Sequence, residues 1–257
     1  MSTRPANDRL LLSRRIRDFD EHADTRAASL KRCAMDYPKI GDTRDGPGGR
    51  CVAFEKLDGT NLGWEWLRGL GFVDQTTRRL SFDAGHPVFG EAIAIFNAGF
   101  AGSLDEILEA HSSFQKSEHV KVFTELLGPR SFAGLHVPER KSLHIIDVWT
   151  DDRGFLGPDE FLAVFADSDL PLARVVYRGK LTGKLTDDVR KGLLGVEEGV
   201  VVKGGETGNV WRCKVKTQAW LDRLEAAFTE GTWTDSAGVT RSIKEEVGAS
   251  GENPSFA

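Results

Sequence analysis

Four stretches of the chain carry side chains able to do chemistry together. The first is Lys56-Leu57-Asp58-Gly59, which follows the apolar run Val52-Ala53-Phe54. A β-branched residue beside two apolar ones predicts a buried strand and Asp58-Gly59 predicts a turn, so Lys56 falls where the strand runs out. An amine held there is a nucleophile once it sheds its proton. Alone, the four residues fit a surface lysine before an ordinary hairpin turn better than they fit a reactive one. The second stretch is Phe123-Thr124-Glu125-Leu126-Leu127, where a carboxylate in an apolar strand is costly unless it is hydrogen-bonded or faces a polar site. A strand-edge glutamate facing solvent is the plain alternative. In the third, Glu198-Gly199-Val200-Val201-Val202-Lys203, an acid and a base stand at the two ends of one short strand. Period-two alternation sends them to opposite faces unless a bulge or twist intervenes. The fourth is Trp211-Arg212-Cys213-Lys214-Val215-Lys216, with Arg212, Lys214 and Lys216 on one face and Cys213 and Val215 on the other. Three like charges on one side require solvent or a polyanion, and a phosphate chain suits such a face.

The elements that must position these groups are mostly short strands. Leu62 to Leu67 reads as the return strand of a hairpin, and Phe72 to Phe82 as a further strand with Arg78-Arg79 near its end. Helical spacing covers Pro87 to Phe100 and Ser103 to Phe114, with a capping-box pattern at Ser103-x-x-Glu106. Strands are then expected at Val120 to Leu127, Leu143 to Trp149, Arg174 to Tyr177, Gly199 to Lys203 and Val210 to Val215, with helices at Pro158 to Phe165 and Asp187 to Leu194. This pattern predicts an α+β domain built on two antiparallel sheets with a groove between them. Residues 46–220 are expected to form it. The arm 1–45 carries an amphipathic helix from Arg9 to Met35 that packs on the domain. Residues 221–257 form a short helix through Leu221, Leu224 and Phe228, then a loose tail from Gly231.

At 257 residues, 40% of them hydrophobic, the chain can bury a sizeable core. A formal net charge of -5 advertises no global attraction to nucleic acid, so any such contact needs a local basic groove. Cys33, Cys51 and Cys213 lie far apart without zinc-ligand spacing, which fits a reduced protein. No run approaches the ~18 apolar residues of a membrane span, and the N-terminus alternates charges where a signal peptide needs an apolar core. A cytoplasmic protein with no membrane partner is expected.

Lysine motif, buried glutamate, glycine-led acidic strand and paired-lysine strand stand in the order of motifs I, III, IV and V of the covalent nucleotidyltransferases. From Val52 to Thr217 the chain resembles that superfamily of ATP-dependent DNA ligases, RNA ligases and mRNA-capping enzymes. It is most similar to the RNA-ligase branch of the bacteriophage and trypanosome-editing type. Glu55-Lys56-Leu57-Asp58-Gly59-Thr60-Asn61 carries that wording, as does Lys214-Val215-Lys216-Thr217. DNA ligases and capping enzymes usually carry an arginine a few residues after K-x-D-G. They also follow motif V with an OB-fold barrel, for which the about 40 residues after Lys216 are too few.

The resemblance implies a ligase adenylation domain, ATP-grasp-like, with two antiparallel sheets flanking a nucleotide groove. It implies an ATP-dependent RNA ligase that joins a 5′-phosphate to a 3′-hydroxyl through a lysyl-AMP enzyme and adenylylated RNA, with Mg2+ or Mn2+ as the metal. Lys56 is then the catalytic nucleophile. Glu55, Leu57, Asp58, Gly59, Asn61, Arg79, Glu125, Ile146, Glu198, Lys203, Lys214 and Lys216 line the nucleotide, and Glu198 holds the metal through waters. Glu125 holds either the ribose hydroxyls or the metal, and Lys214, Lys216 and the cation lower the Lys56 pKa. The aromatic residue that usually stacks on the base is missing from Leu143-His144-Ile145-Ile146-Asp147, which leaves Ile146 or His144 for that task. A minimal DNA ligase, an RNA end-adenylylating enzyme and a non-catalytic RNA-end-binding module stay open as alternatives. So do the natural RNA and the oligomeric state.

Overall fold

The computed structural model describes residues 36–78, 80–129, 140–229, 233–234 and 240–241. The expected helix from Arg9 to Met35 lies outside them. β1 (Arg50–Lys56) passes through the Leu57-Asp58-Gly59 turn into β2 (Thr60–Leu67), and β3 (Gly71–Thr76) follows. Helices α1 (Gly90–Gly99) and α2 (Ala101–Ala110) meet at Phe100, so Ser103 lies inside the second helix and the expected capping box does not form. β4 (His119–Leu127) and β5 (Ser142–Thr150) run close to their expected bounds, and the two-residue β6 (Gly154–Phe155) was too short for any periodicity to mark. Next come α3 (Pro158–Val164), β7 (Val175–Lys180), α4 (Gly183–Arg190), β8 (Gly199–Gly204), β9 (Trp211–Lys216) and α5 (Gln218–Thr229). α4 begins and ends earlier than its apolar spacing predicts, because Thr182 caps it through the Leu185 N–H and Gly192 then turns with a φ of 72°. Within the tail expected to be loose, β10 (Trp233–Thr234) and β11 (Thr240–Arg241) pair antiparallel.

The main strands form two antiparallel sheets. The first has the order β7-β1-β8-β9 and the second β3-β2-β4-β5-β6. Alternation decides what each face does. On β1, Cys51 and Ala53 turn outward to a core with Val200, Val202, Cys213 and Val215, capped by Leu185 and Val189 of α4. Val52 and Phe54 turn the other way and join the larger core, which places Lys56 on that inner face as well. In the second sheet Leu62, Trp64 and Trp66 of β2 join Val120 and Val122 of β4 under α1 and α2. Trp64 stacks on Phe96 at 3.8 Å between ring centroids, and its indole N–H donates to Thr124 Oγ1 at 2.8 Å. The opposite face of β4 carries Lys121, Phe123 and Glu125, paired across the ladder with Glu65, Gly63 and Asn61.

A buried ion network joins the two sheets. Asp147 on β5 receives Lys203 Nζ of β8 at 2.9 Å, Arg212 of β9 at 3.0 Å and the Tyr37 hydroxyl at 3.1 Å. Each of the three charged side chains is at most 6% exposed. Removing one member of such a set strands the others in low dielectric, which typically costs about 3–5 kcal/mol. The segment around Tyr37 is tied in by the Lys214 N–H, which donates to the Gly41 carbonyl at 3.0 Å.

Candidate active site

β1 delivers Lys56 to the point where β8 begins and β9 ends. The ladder pairs Lys56 with Gly199, and Gly199 with Lys216. Strict alternation from Lys203 back along β8 would turn Glu198 outward, but Gly199 has a φ of 149° and breaks it. Glu198 consequently enters the space between the two lysines. Its Oε2 accepts from Lys56 Nζ at 2.7 Å and its Oε1 lies 3.2 Å from Lys216 Nζ. Glu198 is 4% exposed, whereas Lys56 and Lys216 keep 22% and 24% of their side chains open to solvent. The acid is sunk and both amines are reachable.

Gly199 also permits the close packing of the three strands here. A Cβ on it would lie 2.0 Å from the Val215 carbonyl oxygen and 2.8 Å from the Lys216 Cα. Gly199→Ala is therefore expected to cost about 2 kcal/mol through the left-handed backbone alone, and to push Lys216 away from Glu198. Urea denaturation of the variant measures the first effect.

The second sheet closes the site from the other side. Glu125 of β4 is paired with Asn61 of β2 and His144 of β5, so the three share one face. Burial pushes the Glu125 carboxyl up to about 7 although Lys56 pulls it down, with Glu198 and Asp58 adding repulsion and the Gly59 backbone N–H assisting the charged form. The Gly59 contact requires glycine, since a Cβ there would meet the Leu126 carbonyl oxygen at 2.3 Å. Asn61 Nδ2 is buried and has no hydrogen-bond partner, an unmet donor on the same face as Glu125. Burial also lowers the pKa of Lys214, reinforced by Lys56, Lys39 and Arg78 and opposed by Glu198. Lys216 is lowered by burial too, against the pull of Glu198.

Lys56 itself departs from expectation. Burial lowers its pKa, but Glu198, Glu125 and Asp58 together outweigh burial and hold the pKa above the ordinary lysine value. Lys214 and Lys216 do not set it, because the carboxylates stand around the amine and one of them touches it. Two other expected nucleotide ligands also lie elsewhere. Glu55 alternates away from Lys56 and binds Arg174 at 2.9 Å. Lys203 is spent on Asp147 and on the Ile146 carbonyl, with Phe54 beneath it at 4.9 Å from the ring centroid. Leu57 packs against the main core. Ile146 is half-buried where a register shift interrupts the β4–β5 ladder, and Asp58 accepts from the Trp220 indole at 3.2 Å. Arg79 lies outside the described residues, but its neighbour Arg78 reaches Lys214 with its charge.

Among the described residues no group of three or more His, Cys, Asp or Glu side chains is arranged to hold a metal. A single carboxylate at a phosphate site is nevertheless what a magnesium ion uses when it arrives with a triphosphate and keeps most of its waters. Glu198 fits that use. The lysine amines and the unmet Asn61 donor fit the anionic and polar parts of a nucleotide.

Solved structures with this fold include an archaeal ATP-dependent RNA ligase, 21% identical over 76% of this chain and 52% of that one at a TM-score of 0.53. A putative ATP-dependent DNA ligase from Aquifex aeolicus is 18% identical, over 73% of this chain and 51% of that one at 0.54. A mutant Naegleria gruberi RNA ligase with ATP and Mn is 14% identical, over 73% of this chain and 59% of that one at 0.53. The chain thus spans about half the length of the first two. No curated protein sequence matches significantly. The RNA ligase family model matches residues 49–216, from the loop ahead of β1 to the last lysine of β9, and the chain belongs to that family.

Proposed function

We propose that the protein is an ATP-dependent RNA ligase whose Lys56 becomes covalently linked to AMP. The observation that carries this reading is the Lys56–Glu198–Lys216 contact, in which the ends of β1 and β9 and the residue before β8 bring a nucleophile and a phosphate-binding cation each within 3.2 Å of one acid. Family membership and the ATP and Mn held by the Naegleria gruberi ligase support it.

In the first step the neutral Lys56 amine attacks the α-phosphorus of ATP. A phosphorus–nitrogen bond forms, the bond to the bridging oxygen breaks, and pyrophosphate leaves past Lys214 and Lys216, whose charge stabilises it. Lys56 is held as an ammonium beside Glu198, so its proton must be lost before attack. Glu198 would hold a divalent cation arriving with the triphosphate, and the positive charge that ion supplies would favour the free amine. Glu125 and Asn61 hold the sugar, and Ile146 or His144 covers the base. Next the 5′-phosphate of RNA displaces the amine and takes the AMP. A 3′-hydroxyl then displaces AMP and closes the strand. Cys51 is buried as a free thiol, which favours the reducing cytoplasm as its place of work.

Pulse-chase labelling tests the sequence of steps. Protein labelled with α-labelled ATP and then given a nicked duplex should pass its label to the 5′-phosphate and seal the nick, with an RNA 3′-hydroxyl strand outpacing DNA. Equal sealing of both would make it a DNA ligase as readily, and label that never leaves the protein would end the ligase reading.

A further inference from the structure

Several cations around the site are already taken by a carboxylate. Lys56 and Lys216 hold Glu198, and Lys203 and Arg212 hold Asp147. Among the described residues Lys39, Arg78 and Lys214 form no ion pair, although three separate elements carry them toward one place. Lys214 is on β9. Lys39 is brought alongside β9 by its neighbours on both sides. The Tyr37 hydroxyl is bound to Asp147 and the Arg212 guanidinium carbon lies 5.9 Å from the Tyr37 ring centroid, while the Gly41 carbonyl accepts from the Lys214 N–H at 3.0 Å. Gly41 also bridges Cys213 in parallel, so this segment runs along the outer edge of the sheet that β9 ends. Lys39 itself is exposed there. Arg78 arrives from the other sheet. β3 ends with Thr76 opposite Gly63, two residues from Asn61, and the chain then reverses, with the Thr77 N–H donating to the Leu80 carbonyl at 2.8 Å. Arg78 is in that turn, and its charge and that of Lys39 both bear on Lys214. The carboxylates that face Lys214 are engaged elsewhere: Arg44 binds Asp42 at 2.9 Å, and Lys56 and Lys216 bind Glu198. Three converging like charges without a counter-charge suit an anion that comes and goes.

We propose that Lys39, Arg78 and Lys214 form one phosphate seat, which receives the leaving pyrophosphate of ATP in the first step and the 5′-phosphate of RNA in the second. Displacement at phosphorus places the entering and leaving groups in line, on opposite sides of the atom. In the first step the Lys56 nitrogen enters, and the bond from the α-phosphorus to the bridging oxygen breaks with its electron pair leaving on pyrophosphate. In the second an oxygen of the RNA 5′-phosphate enters, the phosphorus–nitrogen bond breaks, and its electron pair returns to the Lys56 nitrogen, which takes up a proton. Lys56 is on the same side both times. Pyrophosphate and the RNA phosphate therefore occupy the same ground, one after the other. Lys216 is tied to Glu198 beside the nucleophile, whereas Lys39 lies along β9 on the side away from β8, where a phosphate group can enter and leave.

The inference rests on the two displacements proposed at Lys56, and binding measured without turnover keeps the two readings apart. Fluorescence anisotropy compares a nicked RNA duplex carrying a 5′-phosphate at the nick with its 5′-hydroxyl twin, in the absence of ATP. The native chain is set beside Lys39→Ala, Lys39→Arg, Arg78→Ala and the control Lys180→Ala. Lys180 is exposed and pairs with Arg50, at the end of β1 opposite Lys56. The native chain is expected to prefer the phosphate about tenfold, the worth of a charged hydrogen bond, and inorganic pyrophosphate should erase that preference. Lys39→Ala and Arg78→Ala should each lose most of it, while Lys39→Arg and Lys180→Ala keep it. Four results overturn the seat: no preference in the native chain, a preference unchanged in Lys39→Ala, an equal loss in Lys180→Ala, or a preference that pyrophosphate leaves intact. The third would assign the effect to the overall field of the protein and the fourth to two separate phosphate sites. A native chain that shows the preference yet takes no label from α-labelled ATP defeats the ligase reading and leaves the seat standing.

Discussion

Lys56→Ala is expected to take no label from α-labelled ATP and a divalent cation under conditions where the native chain becomes labelled. The loss should be complete, because Lys56 is the amine that the β1 end presents to Glu198 Oε2, on the side of Gly199 away from β9. Lys214 lies opposite Val201, one step further along the ladder, and Lys216 is already engaged by Glu198 on the far side. Lys56→Arg separates charge from nucleophilicity. A guanidinium can keep the contact with Glu198, yet it stays protonated at any pH the fold survives. Nucleotide binding should then persist while the adduct is absent, a pattern that loss of the fold cannot mimic. Equilibrium dialysis with labelled ATP measures the first and gel autoradiography the second.

Glu125→Gln should raise stability and lower nucleotide affinity at once. The folded carboxyl sits at about 7 against an ordinary value of 4.5, so above neutrality its ionisation works against the fold. For an acid raised in this way, stability falls as pH climbs from the ordinary range through 7 and levels off beyond. Glutamine removes that cost and keeps an oxygen for the Gly59 N–H. The gain is on the order of 3 kcal/mol near pH 8 and shrinks as pH is lowered toward the ordinary carboxylate range. If Glu125 receives the ribose hydroxyls as a carboxylate, the same change should weaken ATP about ten- to a hundredfold, the worth of a charged hydrogen bond. Urea denaturation at two pH values and a nucleotide titration measure the two effects. A variant that is more stable and binds ATP equally well would make Glu125 a structural burden with no part in the site.

The parts of this site that were legible in the sequence are those set by neighbours along the chain. Lys56 at a strand end, Glu125 in an apolar run and the alternation of Lys214 and Lys216 need only local rules, and β1, β4, β5, β8 and β9 fall within a residue or two of where those rules put them. What failed depended on partners distant in sequence. Lys203 was drawn into the nucleotide set by its place at the end of the glycine-led acidic strand, yet Asp147 takes it from across the molecule. Glu55 was drawn into the nucleotide set by its place in a motif, while its side chain answers to Arg174. The buried set of Glu65, His119 and Lys121, with Lys121 Nζ 2.7 Å from Glu65, left no trace in the hydrophobic pattern of β2 and β4. One signal was available there: Gly63 breaks an otherwise bulky strand, and a Cβ on it would meet Lys121 Cε at 2.4 Å. Gly199 was a similar signal for the swing of Glu198. The Lys56 pKa was misjudged because cations can be counted in the sequence, whereas which carboxylate touches the amine cannot.

The protonation state of Lys56 connects structure to chemistry. On the proposed mechanism the fold holds Lys56 as an ammonium beside a buried acid and leaves its release to the ligand. This predicts that adduct formation rises with pH and needs the divalent cation. On stability, the sunken Glu198 and the raised Lys56 favour the folded state, a contribution present below the ordinary lysine range and lost as pH climbs through the raised value.

The central claim is the covalent bond itself, and peptide mapping tests it most directly. The native chain is incubated with ATP and magnesium, digested at neutral pH and analysed by mass spectrometry. The account predicts one peptide, spanning β1 and the turn after it, heavier by a single AMP, with fragmentation placing it on Lys56 and mild acid releasing it as a phosphoramidate. AMP on any other residue, or no AMP on a folded chain shown to bind ATP, would contradict it.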